Sequence, residues 1–222
     1  TVKEAFYIAN TGRPGPVIID FAKDVQLAEA EFEYPEKIDI RGYKPVLDGH
    51  PKQLEKAVEL INASKRPMLY AGGGVVISKA SEALREFVFK TGIPITVTLM
   101  GLGAFPETHP LSLGMPGMHG SSSANYAFTD TDLIIAVGAR FDDRVTGHIG
   151  KFAPNAKIIH IDIDTSNIGK TVPVDVPIVG DARKVLEQMN KLVNKLEIGP
   201  WLNQIKEWKE KHPYQYKQCD DN

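Results

Sequence analysis

Leu133-Ile-Ile-Ala-Val-Gly-Ala-Arg-Phe-Asp-Asp-Arg-Val-Thr-Gly147 joins a short apolar run to a segment that holds two arginines and two aspartates between glycines. A brief run of β-branched and aliphatic residues closed by glycine reads as a buried strand. Open α/β folds bind their ligands beyond the carboxyl ends of such strands. The charged decapeptide 138–147 therefore stands where a ligand would be met.

The same grammar repeats outward from this point. Pro67-Met-Leu-Tyr-Ala, Ile95-Thr-Val-Thr, Lys157-Ile-Ile-His-Ile-Asp and Val176-Pro-Ile-Val read as further strands. Between them lie helical spacings, at Leu54, Ala57, Val58 and Ile61, and at Ala80, Ala83, Leu84, Phe87 and Val88 before Gly92. A third helix is expected within 120–128, although Ser121-Ser-Ser has poor intrinsic propensity. Asp181 reads as the N-cap of a last crossover helix that buries Val185, Leu186, Met189, Leu192 and Val193. Apolar strands alternating with helices predict an α/β fold, a doubly wound Rossmann-like parallel sheet with helices on both faces. Its strand tips, at 72–74, 98–103, 138–144, 162–164 and 180–181, should share one rim.

The flanks read differently. Val2, Ala5, Phe6 and Ala9 predict a helix, and Val17-Ile-Ile-Asp-Phe a short buried strand; together they read as the end of an upstream unit, residues 1–25. Residues 26–48, rich in Glu and Pro, read as a linker, residues 49–198 as the central domain, and residues 199–222 as a linker helix. Trp201, Ile205 and Trp208 fall on one face of that helix, a stripe expected to lie exposed or to be covered by an oligomer partner. The start in mid-helix, without Met, and the polar end Lys217–Asn222 suggest that both ends are cuts in a longer protein.

Composition narrows the function. With 222 residues, 42% hydrophobic and 24% charged, the chain can bury one sizeable core, and its net charge of −2 gives no field for nucleic acid or an anionic membrane. No stretch approaches the roughly 18–20 apolar residues of a membrane span, and the lone Cys219 cannot form an internal disulfide; the chain reads as cytoplasmic. The scattered histidines have no ligand spacing, so no metal site is expected.

Several tips carry groups with binding chemistry. Gly72, Gly73 and Gly74 allow close approach and should leave amides free for a phosphate, or serve only as a tight turn. Arg140 and Arg144 suit diphosphate oxygens, with Asp142 and Asp143 orienting them or accepting from ribose hydroxyls; otherwise the cluster is a surface loop of neutralising charges. Asp162 is assigned to a ribose hydroxyl and Asp164 to the cap of a short helix. Gly180, Asp181 and Ala182 could offer amides while Asp181 caps its helix.

Decapeptide 138–147 closely resembles a signature of acetolactate synthase catalytic large subunits. Gly12-Arg-Pro-Gly-Pro-Val-Ile-Ile-Asp, Tyr70-Ala-Gly-Gly-Gly, Thr96-Val-Thr-Leu-Met-Gly-Leu-Gly, Gly117-Met-His-Gly, Lys151-Phe-Ala-Pro-Asn-Ala and His160-Ile-Asp-Ile-Asp resemble further family segments, in the family's order. This resemblance implies the middle, FAD-binding domain, preceded by the end of a pyrimidine-binding domain. It implies FAD contacts at Arg13, Gly72, Gly73, Gly74, Thr98, Leu99, Met100, Gly117, Met118, His119, Gly138, Ala139, Arg140, Asp142, Arg144, Val145, Asp162, Ile163, Asn167, Gly180, Asp181 and Ala182. It also implies a substrate channel near Met118, Asp143 and Arg144, where sulfonylurea-type inhibitors bind in the family, and Met115–Gly120 as a flat wall for the flavin ring.

The full family enzyme joins two pyruvates, or pyruvate and 2-ketobutyrate, using thiamine diphosphate and Mg2+, which carry the chemistry. A homo-oligomer and a regulatory small subunit are implied partners. This sequence has no Gly-Asp-Gly segment for Mg2+ and diphosphate and no recognisable activating glutamate, so the chain alone is expected to be inactive and to have no catalytic residue of its own. The rivals are the middle domain of a related thiamine-dependent oxidase or decarboxylase, and a stand-alone NAD(P)-binding module.

Overall fold

The computed structural model describes residues 1–213; Cys219 and the polar segment 217–222 lie outside them. In chain order the elements are α1 (Val2–Asn10), α2 (Lys23–Leu27), α3 (Pro51–Ala63), β1 (Pro67–Ala71), α4 (Gly73–Ile77), α5 (Ser81–Thr91), β2 (Ile95–Val97), α6 (Ser122–Asp130), β3 (Leu133–Val137), α7 (Asp143–Thr146), β4 (Lys157–Asp162), β5 (Val176–Val179), α8 (Ala182–Asn190) and α9 (Gly199–Lys211). The strands form one parallel sheet in the order β2-β1-β3-β4-β5. The chain leaves β1 in one direction and returns past it to β3, so the order reverses between these two strands. That is where a doubly wound sheet opens its crevice.

Burial on both faces explains the apolar runs. Leu69, Ala71, Ile135, Val137, Ile159 and Ile161 meet α3, α5 and α8 on one face, while Met68, Tyr70, Ile134, Ala136 and Ile158 meet α6 and α9 on the other. Ser-rich α6 forms because Ser121 caps it, its hydroxyl accepting from the Ala124 amide at 3.0 Å, which satisfies a donor that the helix start leaves free. Gly92 ends α5 in the left-handed conformation, φ 76°.

Three expectations need correction. Residues 17–21 form no strand; Val17, Ile18 and Phe21 are exposed, since no other strand among the described residues pairs with them and a lone strand leaves its backbone unsatisfied. The tryptophan stripe is not left open. Trp201 and Ile205 are each 3% exposed, and the Trp201 indole N–H donates to the Pro67 carbonyl at 3.0 Å, so α9 closes the second face of the sheet itself. Leu192 stands 43% exposed, because α8 ends at Asn190 before the helical face reaches it. Among the described residues no helix is long and apolar enough to cross a membrane, and no group of three His, Cys, Asp or Glu side chains gathers for a metal.

Candidate functional site

Strand register brings the tips together. Val97, Ala71, Val137, Ile161 and Ile178 stand side by side across the sheet, so the next level holds Thr98, Gly72, Gly138, Asp162 and Val179. Above this row opens a cleft of about 940 Å³, at the upper end of what small-molecule sites use.

The cleft takes in nearly all the residues that sequence reasoning assigned to it. Arg13, Gly72–Gly74, Thr98–Met100, Met118, His119, Gly138–Arg140, Asp142, Arg144, Val145, Asp162, Ile163, Asn167, Asp181 and Ala182 line it. Gly117, Asp143 and Gly180 do not. Gly117 docks a loop instead: a Cβ there would stand 2.4 Å from the Arg144 carbonyl, and the Met118 amide donates to that same oxygen at 3.2 Å. Tyr7, Thr11, Pro45 and Leu47 add a wall that sequence reasoning missed. The link between Tyr43 and Thr11, a 2.8 Å hydrogen bond from the phenol to the Thr11 carbonyl, holds α1 near the rim.

Of the strand-end amides expected to meet an anion, those of Gly72, Gly74, Gly180 and Asp181 are taken up by the protein itself. Those of Thr98, Gly72, Gly138 and Gly180 donate to Ala71, Val137, Ile161 and Asp162, extending the sheet by one step, and the Gly74 amide donates to Gly138. The Asp181 amide is likewise given to Leu47. The glycines serve a close approach: a Cβ on Gly72 would stand 2.1 Å from the Gly138 oxygen, and one on Gly74 2.6 Å from the Gly138 Cα.

Side chains carry the charge instead. Arg140 and Arg144 are exposed at the cleft, and among the described residues neither has a carboxylate within 4.0 Å. Asp142 does not orient them; its carboxylate accepts the Arg144 amide at 2.9 Å and caps α7. Asp143 makes no such pair either. Asp181 caps α8 as expected, accepting the Lys184 amide at 3.1 Å. Asp164 anchors a turn rather than a helix: it accepts the Ser166 amide and hydroxyl at 3.0 and 2.6 Å and pairs with Arg13 at 3.1 Å. Hydrogen bonds from Ser166, with the Arg13 guanidinium beside it, hold the Asp164 carboxyl below its ordinary range.

Beneath the floor, burial raises the pKa of the Asp162 carboxyl and lowers that of the His160 imidazole, while burial and then the Asp142 charge push the Tyr70 phenol up. His160 Nε2 lies 2.8 Å from the Ala139 oxygen and 3.9 Å from Asp162, and its Nδ1 has no partner among the described residues. The ring is thus neutral, with Nε2–H donating to Ala139. Unfolding frees it to take up a proton near its usual 6.5, so its contribution to stability is full above that value and falls away below it. Asp162 acts oppositely, favouring the folded state when protonated, an effect lost as pH rises above its usual 3.8 through its raised value. The thermal midpoint should therefore drop between about pH 7 and 5, and His160→Gln should flatten that slope; an unchanged slope in calorimetric scans would exclude His160 as its source.

Residues 54–189 match the family model "Thiamine pyrophosphate enzyme, central domain". The chain is 54% identical over 218 residues, 96% of its length, to the acetolactate synthase large subunit of Corynebacterium glutamicum, of which the match covers 35%. It is 55% identical over 215 residues to the probable acetolactate synthase large subunit of Methanocaldococcus jannaschii, covering 94% of the chain and 36% of the relative. Acetolactate synthase isozyme 3 large subunit of Escherichia coli matches at 44% over 224 residues, 97% of the chain and 39% of the relative. The chain spans a little over a third of the length of these relatives. With its parallel sheet, its shared rim and this likeness along almost every residue, the chain belongs to the thiamine pyrophosphate enzyme central-domain family and, within it, to the acetolactate synthase large-subunit group.

Proposed function

We propose that the cleft holds FAD and that the chain is the middle domain of an acetolactate synthase. One observation carries the reading: the in-register tips of the sheet converge on a single cleft that exposes two guanidinium groups without carboxylate partners among the described residues. Unpaired guanidinium groups suit a diphosphate. Arg140 and Arg144 would take the diphosphate, Asp162 and Asn167 ribose hydroxyls, and Gly73, Thr98–Met100 and Met118–His119 the remaining length. Met118 and Arg144 would also face the substrate channel; Asp143, off the cleft, fits that role less well.

Bound FAD would supply a rigid platform rather than electrons, since the net condensation of two pyruvates to 2-acetolactate and CO2, or of pyruvate with 2-ketobutyrate, is not redox. This chain's residues would position and enclose it. Thiamine diphosphate and Mg2+ carry the reaction in the whole enzyme, with residues 1–25 ending the upstream domain, 26–48 linking, and the central domain following. A companion small subunit and a homo-oligomer, in the cytoplasm, complete the proposal.

Calorimetric titration with FAD tests it. The 222-residue chain should bind one equivalent, and Arg140→Ala should weaken binding by about 10- to 100-fold, the loss of one charge-assisted hydrogen bond of about 1.5–3 kcal/mol. Binding of NADPH without FAD, or an unchanged affinity for the variant, would remove the reading or the residue. The same preparation should form no acetolactate from pyruvate.

A further inference from the structure

The arginine-bearing loop rests on a support that the proposed cofactor contacts do not use. Phe141 stands at φ 52°, a left-handed conformation costly for an aromatic residue and kept only where its surroundings over-determine it. Its side chain is 1% exposed. The ring centroid lies 5.5 Å from that of Tyr70, 6.0 Å from Phe152 and 5.2 Å from His160, which it meets edge-on at 90°. His160, fully buried in β4, reaches past this ring to donate to the Ala139 carbonyl at 2.8 Å.

Two alternate residues of the loop are thus fastened from below, Ala139 by a hydrogen bond and Phe141 by packing. Arg140 and Asp142, in alternation with them, are turned outward and exposed. Beyond them α7 is only four residues long, too short to hold its own shape. Its amides depend on residue 142: Arg144 donates to the Asp142 carboxylate at 2.9 Å, and Val145 and Thr146 to the Asp142 carbonyl at 3.0 and 3.1 Å.

We infer that Phe141 and His160 are positioning residues, which hold the 139–146 segment in the conformation that presents Arg140 and Arg144 to the cleft. This deepens the FAD reading, and as regards affinity it rests on it; the conformational claim stands apart from the ligand.

Hydrogen exchange on the ligand-free 222-residue chain reads that claim directly. In Phe141→Ala and His160→Ala the Arg144, Val145 and Thr146 amides should exchange faster by an order of magnitude or more, while the β3 amides keep their parental rates. Phe141→Leu, which retains an apolar anchor, and His160→Gln, which retains an N–H donor, should recover most of the protection. Unchanged rates at these amides, or equal acceleration in β3 and β4, would overturn the inference, the latter by showing a merely general packing role. If Phe141→Ala does not fold, the His160→Ala and His160→Gln pair decides by the same criteria. FAD titration of the same proteins separates the two readings. A parent that binds no FAD but shows the expected exchange pattern removes the cofactor and leaves the positioning pair in place. A parent that binds FAD as tightly as all four variants do would sink the pair's role in binding.

Discussion

Gly72→Ala should lower the thermal midpoint by about 6–12 °C, from a destabilisation of about 3 kcal/mol at the upper end of overpacking costs and about 2–4 °C per kcal/mol for a chain of this size. A Cβ at this position would stand 2.1 Å from the Gly138 oxygen and 2.7 Å from the Ala139 Cα. Both obstacles are backbone, so no side-chain rotation relieves them. The Gly72 amide is also bonded to Val137 at 2.9 Å, and moving the chain away would break that step of the sheet. Gly15→Ala, where a Cβ meets nothing within 4 Å, serves as the control and should be nearly neutral. A Gly72→Ala protein that melts with its parent in circular-dichroism scans would mean that the tips of β1 and β3 are not clamped as described.

Trp201→Ala should cost about 3–5 kcal/mol in urea unfolding, the usual loss for a fully buried large aromatic. The indole is 3% exposed, donates to the Pro67 carbonyl and meets Trp208 edge-on at 5.6 Å. Truncation would open a cavity over the second face of the sheet and leave the start of β1 without its partner. A loss of this size would extend the central unit through α9 rather than ending it at residue 198. A loss under about 1 kcal/mol, below any core truncation of this kind, would return α9 to the role of a detachable linker.

Parallel strands buried on both faces need little more than composition and length to be recognised, which is why β1 to β5 and the rim they share were legible in advance. The run at 17–21 has the same composition, yet strand formation needs a neighbour, and composition says nothing about neighbours. The face of Trp201, Ile205 and Trp208 was equally plain as a helical stripe, but spacing does not reveal which surface covers it. At the cleft, residue type disclosed the charges of Arg140 and Arg144. It could not disclose that Asp142 would turn to the nearby Arg144 amide, or that the Gly72, Gly138 and Gly180 amides would be drawn into the sheet. Tyr7 and Thr11 were missed for a different reason: they arrive from a segment assigned to another unit, and only the fold carries α1 to the rim. The bent backbone at Phe141 leaves no mark in the residue type, since phenylalanine is an unlikely choice for that conformation.

Because the sheet consumes the N–H groups of Thr98, Gly72, Gly138 and Gly180, discrimination among ligands at this scaffold leans on side chains more than on the fixed main chain. A change at Arg140 or Arg144, whose side chains make no ion pair among the described residues, alters what is bound at little cost to the fold, whereas Asp142 and Asp181 also cap α7 and α8. The architecture thereby places selectivity on two guanidinium side chains that the packing does not use.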